Sequence, residues 1–196
     1  MSAKDTTLSP SDPTSGPGPR VAIVLGIALL VGISVWLATG CNRDDTSSVA
    51  MPGASAENAR LVAVSDVDSI PGEIGHEVFW AGERPDSEVE VSDDPSGNVH
   101  LRYLDSSDQV GTLDQTFLNI GTYPFSGAFD ITRDLTNRAG VVKVPVEGGV
   151  GFYDKKSPFS VIMAFANEPD LQIEVYHPEK NAALDVVRSG DIVPVP

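Results

Sequence analysis

Three histidines are the residues best suited to metal or acid–base chemistry in this sequence: His76, His100 and His177. His76 is followed by Glu77, but Trp80 occupies the place of the second histidine that a zinc-protease helix requires. The three histidines are far apart in the chain, so they could share a metal only if the fold brought them together. We therefore predict neither a metal site nor a catalytic set from them.

His100 lies in the run VHLRYL, where polar and apolar residues alternate as in a half-buried strand. The alternation predicts that His100 is on the solvated face, with Glu88 or Glu90 as a cross-strand partner. The segment before this run, DDPSGN at Asp93–Asn98, has oxygens that calcium could use. It lacks the EF-hand spacing, however, and its residues are typical of a turn.

No cofactor is predicted, because the sequence contains none of the common binding motifs. There is no GxSxG elbow, no phosphate-binding loop and no dinucleotide-binding glycine fingerprint. Gly148, Gly149 and Gly151 are close together, but a turn between two strands explains them. An enzyme with this sequence would have to use dispersed Asp, His and Ser residues.

Three aromatic residues at predicted strand ends are candidates for a ligand-binding rim. Tyr123 and Tyr176 each end a strand before a proline-containing connection to a helix, and Trp80 ends the first predicted strand. Aromatic side chains provide large, stiff contact areas with a polar tip, so they recur in binding surfaces. The alternative is that these side chains close the hydrophobic core.

The segment Val21–Gly40 is uncharged and apolar, and it is long enough to cross a bilayer as one helix. Trp36, near its outer end, suits the headgroup region. Small residues precede Cys41, so the segment also resembles a bacterial lipoprotein signal, in which this cysteine would be lipidated. The leucine that such signals prefer occurs one place early, at Leu37. A retained helix, a lipoprotein and a cleaved product all place the rest of the chain outside the cell.

The flanking residues set the expected topology. Lys4 and Arg20 precede the apolar segment and only one basic residue closely follows it, which places the N-terminus in the cytoplasm. Residues 1–20 and 41–59 are rich in small and polar residues, and we expect a disordered tail and a flexible linker. Residues 60–196 then form one extracytoplasmic domain, and the cell membrane is the predicted location.

The charge of the chain excludes some partners. The net charge is −15, and after the apolar segment 26 acidic residues oppose 11 basic ones. Nucleic acid and anionic lipid headgroups repel such a domain, so no nucleic-acid partner is expected. The chain has one cysteine and therefore no intrachain disulfide, so the fold must depend on its hydrophobic core.

From residue 60 onward the patterning predicts an α+β domain, an antiparallel sheet with helices on one face. The expected strands are Glu77–Gly82, Glu88–Ser92, Val99–Leu104, Phe117–Pro124, Val141–Val146, Gly149–Asp154, Ser160–Ala166 and Leu171–Pro178, and the expected helices are Ser69–Ile74, Ala128–Arg138 and Glu179–Arg188. Pro145 makes its strand an edge strand, whereas Ser160–Ala166, apolar on both faces, should be central. Four strands and a helix occur twice, which suggests a duplicated ββββα unit.

Two strings, GHEVFWAG at Gly75–Gly82 and IGTYP at Ile120–Pro124, resemble strings in a set of uncharacterised, membrane-anchored or secreted bacterial proteins. The likeness covers most of the chain after Arg60. The resemblance suggests no particular activity, because that group has no assigned function.

We therefore interpret the chain as a membrane-anchored extracytoplasmic binding or interaction domain, whose partner is an unknown envelope protein or a small ligand. The alternatives are a hydrolase-like envelope enzyme and a structural accessory subunit. A cleft with two histidines, or a pair of carboxylates with raised pKa, would favour the enzyme. An exposed apolar patch would favour the accessory subunit.

Overall fold

The computed structural model describes residues 58–196, so the N-terminal tail, Val21–Gly40, Cys41 and most of the expected linker lie outside the described residues. Within residues 58–196, no helix has both the length and the apolar character needed to cross a bilayer. The strands of this part are β1 Arg60–Val62, β2 Phe79–Trp80, β3 Glu88–Asp93, β4 Val99–Leu104, β5 Leu118–Pro124, β6 Val141–Val144, β7 Gly149–Asp154, β8 Ser157–Phe165, β9 Leu171–Tyr176 and β10 Val193–Pro194. The α-helices are α1 Ile70–Ile74, α2 Ala128–Leu135 and α3 Ala182–Ser189, and Val64–Ser69 and Ser107–Gln109 form 3-10 helices.

The main sheet has eight strands in the order β1-β3-β4-β5-β9-β8-β7-β6, and all neighbouring strands are antiparallel. The α+β class and the antiparallel sheet are thereby confirmed. The strand before Pro145, β6, is an edge strand as predicted, whereas β8, predicted to be central, is an interior strand next to the central pair β5–β9. A second, two-stranded sheet pairs β2 with β10.

Strands β3 and β4 form the predicted hairpin, and its register pairs Glu90 with Arg102 and Ser92 with His100. Asp94 holds the turn between them. Its Oδ1 accepts hydrogen bonds from the backbone N–H of Ser96 at 2.8 Å and of Asn98 at 3.2 Å. These carboxylate oxygens thus stabilise the turn, as expected from its composition.

One face of the main sheet carries the hydrophobic core, and we call it the apolar face. Alternate residues of β3, β4, β5, β9 and β8 point to this face, and α1, β2, α3 and β10 cover it. Its buried side chains include Val91, Leu101, Ile120, Ile173, Val175, Val161, Met163, Ala183, Leu184, Val187, Ile192 and Val195. Gly75 ends α1 with a positive φ of 91°, as expected for a glycine helix stop.

The opposite face is also covered, and we call it the polar face. Helix α2 lies on it, with Ala128 and Thr132 buried, and Gln172 Nε2 of β9 donates a hydrogen bond to Thr132 Oγ1 at 2.8 Å. Helix α3 belongs to the apolar face, so the prediction that the helices share one face is wrong. Each face is covered by a different part of the chain, and the polar residues of this sheet are buried as a result.

The prediction that His100 lies on a solvated face is wrong for the same reason. His100 is fully buried, and its partner across the hairpin is Ser92 rather than Glu88 or Glu90. The first predicted strand is also shorter than expected: only Phe79–Trp80 is a strand, and it pairs with β10 outside the main sheet. Strands β1 and β10 were not predicted, because three and two residues are too few to show a period of two.

Candidate functional site

The polar face has a layer of buried polar side chains in the middle of the sheet. It contains Glu90, Ser92, His100, Arg102, Asn119 and Gln172, all of them buried. Burial of a polar group costs free energy unless the group is hydrogen-bonded, so each of these side chains is expected to have a hydrogen-bond partner.

Glu90 and Arg102 form a buried ion pair. Arg102 Nε and Nη2 donate to the two carboxylate oxygens of Glu90 at 2.6 and 2.8 Å. Both side chains also bind the backbone of the segment after β4, because Arg102 Nη1 donates to the carbonyl oxygen of Thr112 at 2.6 Å and Glu90 Oε2 accepts from Gly111 N at 2.7 Å. The pair thus uses its remaining hydrogen-bonding groups to hold a chain segment over the sheet.

That segment, residues 105–117, has no strand partner, and we call it the anchored loop. It begins with a 3-10 turn, where the side chain of Gln109 accepts hydrogen bonds from the backbone N–H of Asp105 and Ser106. Near its other end, Tyr176 of β9 donates its hydroxyl to the carbonyl oxygen of Gln115 at 2.9 Å. Side chains of β3, β4 and β9 therefore replace the strand hydrogen bonds that this loop lacks.

A small pocket lies between the anchored loop and the sheet. Its volume is about 20 Å³, and it is lined by Arg102, Leu113, Asp114, Gln115, Phe117, Asn119 and Tyr176. The Arg102 guanidinium carbon is 5.7 Å from the centre of the buried Phe117 ring, a cation–π distance. The pocket has room for one group of the size of a water molecule.

His100 lies beside this pocket and is linked to it through Asn119. Asn119 Nδ2 is 3.2 Å from His100 Nδ1, so Nδ1 accepts and the neutral imidazole carries its proton on Nε2. Nε2 is buried and has no hydrogen-bond partner among residues 58–196. Burial in the sheet lowers the pKa of His100 to about 4, although the hydrogen bond to Asn119 opposes this. His100 is therefore neutral at neutral pH.

Tyr123 lies flat across Gly121 on the same face. A Cβ at Gly121 would be 2.7 Å from the Cζ atom of Tyr123, so only glycine leaves room for the ring. The His100 and Tyr123 ring centroids are 5.6 Å apart in a T-shaped arrangement. The Tyr123 hydroxyl donates to Glu174 Oε2 at 3.1 Å. His100, Tyr123 and Glu174 thus form a row of contacts across β4, β5 and β9. The Tyr123 ring occupies the space that a side chain at position 121 would fill.

Burial raises the pKa of Glu174, although hydrogen bonds from Ser160 and Tyr123 oppose the shift. Burial also raises the pKa of Tyr123 well above its ordinary value, and the neighbouring Glu174 carboxylate adds to this. A carboxyl group with a raised pKa could act as a proton donor. It is a single carboxyl, however, and not the pair of carboxylates that would favour an enzyme.

The structure separates the three predicted rim residues. Trp80 is buried on the apolar face as part of the core. Tyr123 and Tyr176 share the polar face, but Tyr123 is paired with Gln172 and Tyr176 with Asn119, so they lie about four residues, or roughly 13 Å, apart along the strands. Tyr176 donates a hydrogen bond to the anchored loop, whereas Tyr123 donates to Glu174. The possible lipidation site, Cys41, is outside the described residues.

The histidines do not form a group. The imidazole of His76 bridges the end of α1 to the β3–β4 turn, with Nε2 at 2.8 Å from Gly97 O and Nδ1 at 2.7 Å from Glu77 O. His177 Nδ1 accepts from the backbone N–H of Glu179 at 3.0 Å. Within residues 58–196 no group of three or more His, Cys, Asp or Glu residues could hold a metal ion.

Sequence reasoning missed Glu90, Arg102, Asn119 and Glu174. One sequence feature could have found the first two. Alternation places Glu90 and Arg102 on the same face of the hairpin, and a five-residue turn at Asp94–Asn98, with Asp93 paired to Val99, puts them directly opposite each other, where a Glu–Arg pair is favourable. Nothing local in the sequence indicates that the anchored loop would bury this pair.

Searches against protein families, curated proteins and solved structures find no match for this chain. The function must therefore be argued from the residues of the polar face and the loop that they hold.

Proposed function

We propose that the chain is a membrane-anchored extracytoplasmic binding domain, and that the anchored loop is the element that contacts its partner. One observation carries this proposal: the loop backbone is held by Glu90, Arg102 and Tyr176, from three different strands. Binding residues are often found on loops that a rigid sheet positions.

The anchoring lowers the entropic cost of binding. A loop that is ordered only by its partner loses conformational freedom on association, whereas a loop fixed in advance does not. Burial of the ion pair of Glu90 and Arg102 carries a desolvation penalty, because both charges are removed from water. A desolvation penalty that is accepted in order to hold the loop is consistent with a loop whose conformation matters for function.

The surface of the anchored loop indicates the chemistry of the partner. Leu113 is 49 % exposed and gives the loop an apolar contact surface. The loop has three aspartates, Asp105, Asp108 and Asp114, and no lysine or arginine. A partner surface with basic residues around an apolar contact would complement it. We propose an envelope protein with such a surface.

Site-specific photo-crosslinking in intact cells tests this role of the loop. A photoreactive residue at position 113 should form a defined crosslinked product. The same residue in place of Ile131, which is 46 % exposed on α2, is the matched control and should not give that product. Equal crosslinking at both positions, or none at position 113, would overturn the proposed role of the anchored loop.

Anchoring to the membrane is a separate part of the proposal, and the composition of Val21–Gly40 supports it. Protease added to intact cells should remove the domain and spare residues 1–20. Protection that is lost only on lysis would reverse the topology. If Cys41 is lipidated, Cys41→Ser should abolish acylation and leave uncleaved precursor, whereas an unchanged mature mass would favour a transmembrane helix.

The hypothesis of a duplicated unit has mixed support. In the main sheet β5 and β9 are neighbours at the centre. Strands β4 and β3 follow β5 on one side, and β8 and β7 follow β9 on the other, so the two sets of three strands occupy corresponding places. Within that pair Ile120 and Ile173 both face the core, and Tyr123 and Tyr176 both face the polar side. The following helices differ, because α2 covers the polar face and α3 the apolar face. We therefore propose that any duplication concerns the strands.

A further inference from the structure

The pocket under the anchored loop has a size and a charge that suit one kind of chemical group. Its volume of about 20 Å³ admits a single water-sized group. A primary ammonium group is of that size, and it can enter at the end of a flexible chain. A planar guanidinium or a carboxylate is larger.

The charges around the pocket favour a cation. The one cationic side chain of its lining, Arg102, is neutralised by two hydrogen bonds to the carboxylate of Glu90. The carboxylate of Asp114 remains, and no salt bridge of the described residues involves it. The net charge of −15 on the whole chain adds a field of the same sign.

The walls of the pocket suit the same group. Tyr176 contributes an aromatic ring, and ring faces attract cations, whereas the Phe117 ring is in cation–π contact with Arg102 and forms an apolar wall. Leu113 offers an apolar contact for the methylene chain behind an ammonium group, as aliphatic surfaces do for lysine stems. Aromatic, aliphatic and acidic groups thus line one small space.

We propose that this pocket binds a primary ammonium group on an unbranched alkyl chain, such as the side chain of a lysine in the partner protein. This inference rests on the proposed function, because it names the group with which the partner would meet the anchored loop. The ammonium group lies beside Asp114, its methylene chain contacts Leu113, and the rings of Phe117 and Tyr176 flank it.

Titration of the full-length protein with n-butylammonium, followed by NMR chemical shifts, tests the inference. Saturable shifts should occur at the residues that line the pocket, with an affinity near the millimolar range expected for so small a ligand. The uncharged n-butanol and the anionic butyrate are the ligand controls and should not saturate. Binding of butyrate instead would show an anion site at Arg102 and overturn the inference.

Two variants separate a specific site from general electrostatic attraction. Asp114→Asn should weaken butylammonium binding by about tenfold, equal to about 1.4 kcal/mol. Asp105→Asn removes the same charge from the same loop but does not line the pocket, so it should change the affinity by less than about twofold. Equal effects of the two variants, or no saturable binding to the wild-type protein, would overturn the inference. Crosslinking at position 113 together with failed butylammonium binding would leave the proposed function intact.

Discussion

Arg102 and Glu90 face each other across the β3–β4 hairpin, and the two carboxylate oxygens accept hydrogen bonds from Nε and Nη2 of the guanidinium. Both side chains are buried, and both also bind the backbone of the anchored loop. The pair therefore joins two strands and a loop, and its loss should affect stability and loop order together.

Arg102→Met should lower the free energy of unfolding by about 3–5 kcal/mol, because Glu90 is left as a buried charge without its partner. Arg60→Met is the control: Arg60 pairs with Glu73 at an exposed site, where an ion pair contributes less than about 1 kcal/mol. Urea unfolding measures both values. Similar losses for the two variants would contradict a buried, coupled ion pair at Glu90.

His100 should make the domain less stable in mild acid. Its pKa is lowered to about 4 in the folded domain from 6.5 in the unfolded chain, so between these pH values the unfolded chain binds a proton that the folded domain does not. Stability from this group is present above about pH 6.5 and falls towards pH 4, by up to about 3 kcal/mol. In His100→Gln this part of the pH dependence should disappear, as measured by urea unfolding at several pH values. An unchanged slope would contradict the assignment to His100.

Glu174 should act in the opposite direction. Its pKa is raised in the folded domain, so its contribution is full at low pH and is lost as the pH rises through that raised value. Glu174→Gln keeps an acceptor for the Tyr123 hydroxyl and removes the buried charge. We expect this variant to be more stable than the wild type at pH 8, by more than the roughly 0.5 kcal/mol typical of surface changes, and to gain nothing at pH 3. Glu147→Gln, at an exposed carboxylate, should have little effect at either pH.

Tyr176→Phe should loosen the anchored loop without unfolding the domain. It removes the hydrogen bond to the carbonyl oxygen of Gln115, which costs about 1 kcal/mol. Amide hydrogen exchange of residues 110–116 should then become faster. Tyr123→Phe, which removes the hydrogen bond to Glu174 on the same face, is the control and should leave exchange in the loop unchanged. Faster exchange in both variants would mean that the polar face responds as a whole.

The sequence predicted the parts of the fold that depend on local patterns. Alternation of polar and apolar residues located β3 and β4, the turn residues between them located the hairpin, and Pro145 identified the edge position of β6. The type of each element and the pairing of β3 with β4 depend on residues that are close together in the chain, so local patterns can predict them.

The sequence could not predict which polar residues are buried. In the run VHLRYL the alternation is that of a half-solvated strand, and His100 and Arg102 would be exposed there if nothing covered them. They are buried because other parts of the chain, the anchored loop among them, lie on that face. The pairing of β2 with β10, more than 100 residues apart, is non-local in the same way.

The contact between Tyr123 and Gly121 has a consequence for how this sequence can change. Because the ring occupies the space of a side chain at position 121, Gly121→Ala should displace the Tyr123 ring and destabilise the wild-type chain by about 1–3 kcal/mol. In a chain where Tyr123→Ser has already occurred, the same change should be tolerated. The effect of each substitution therefore depends on whether the other is already present, so the two positions are expected to change together.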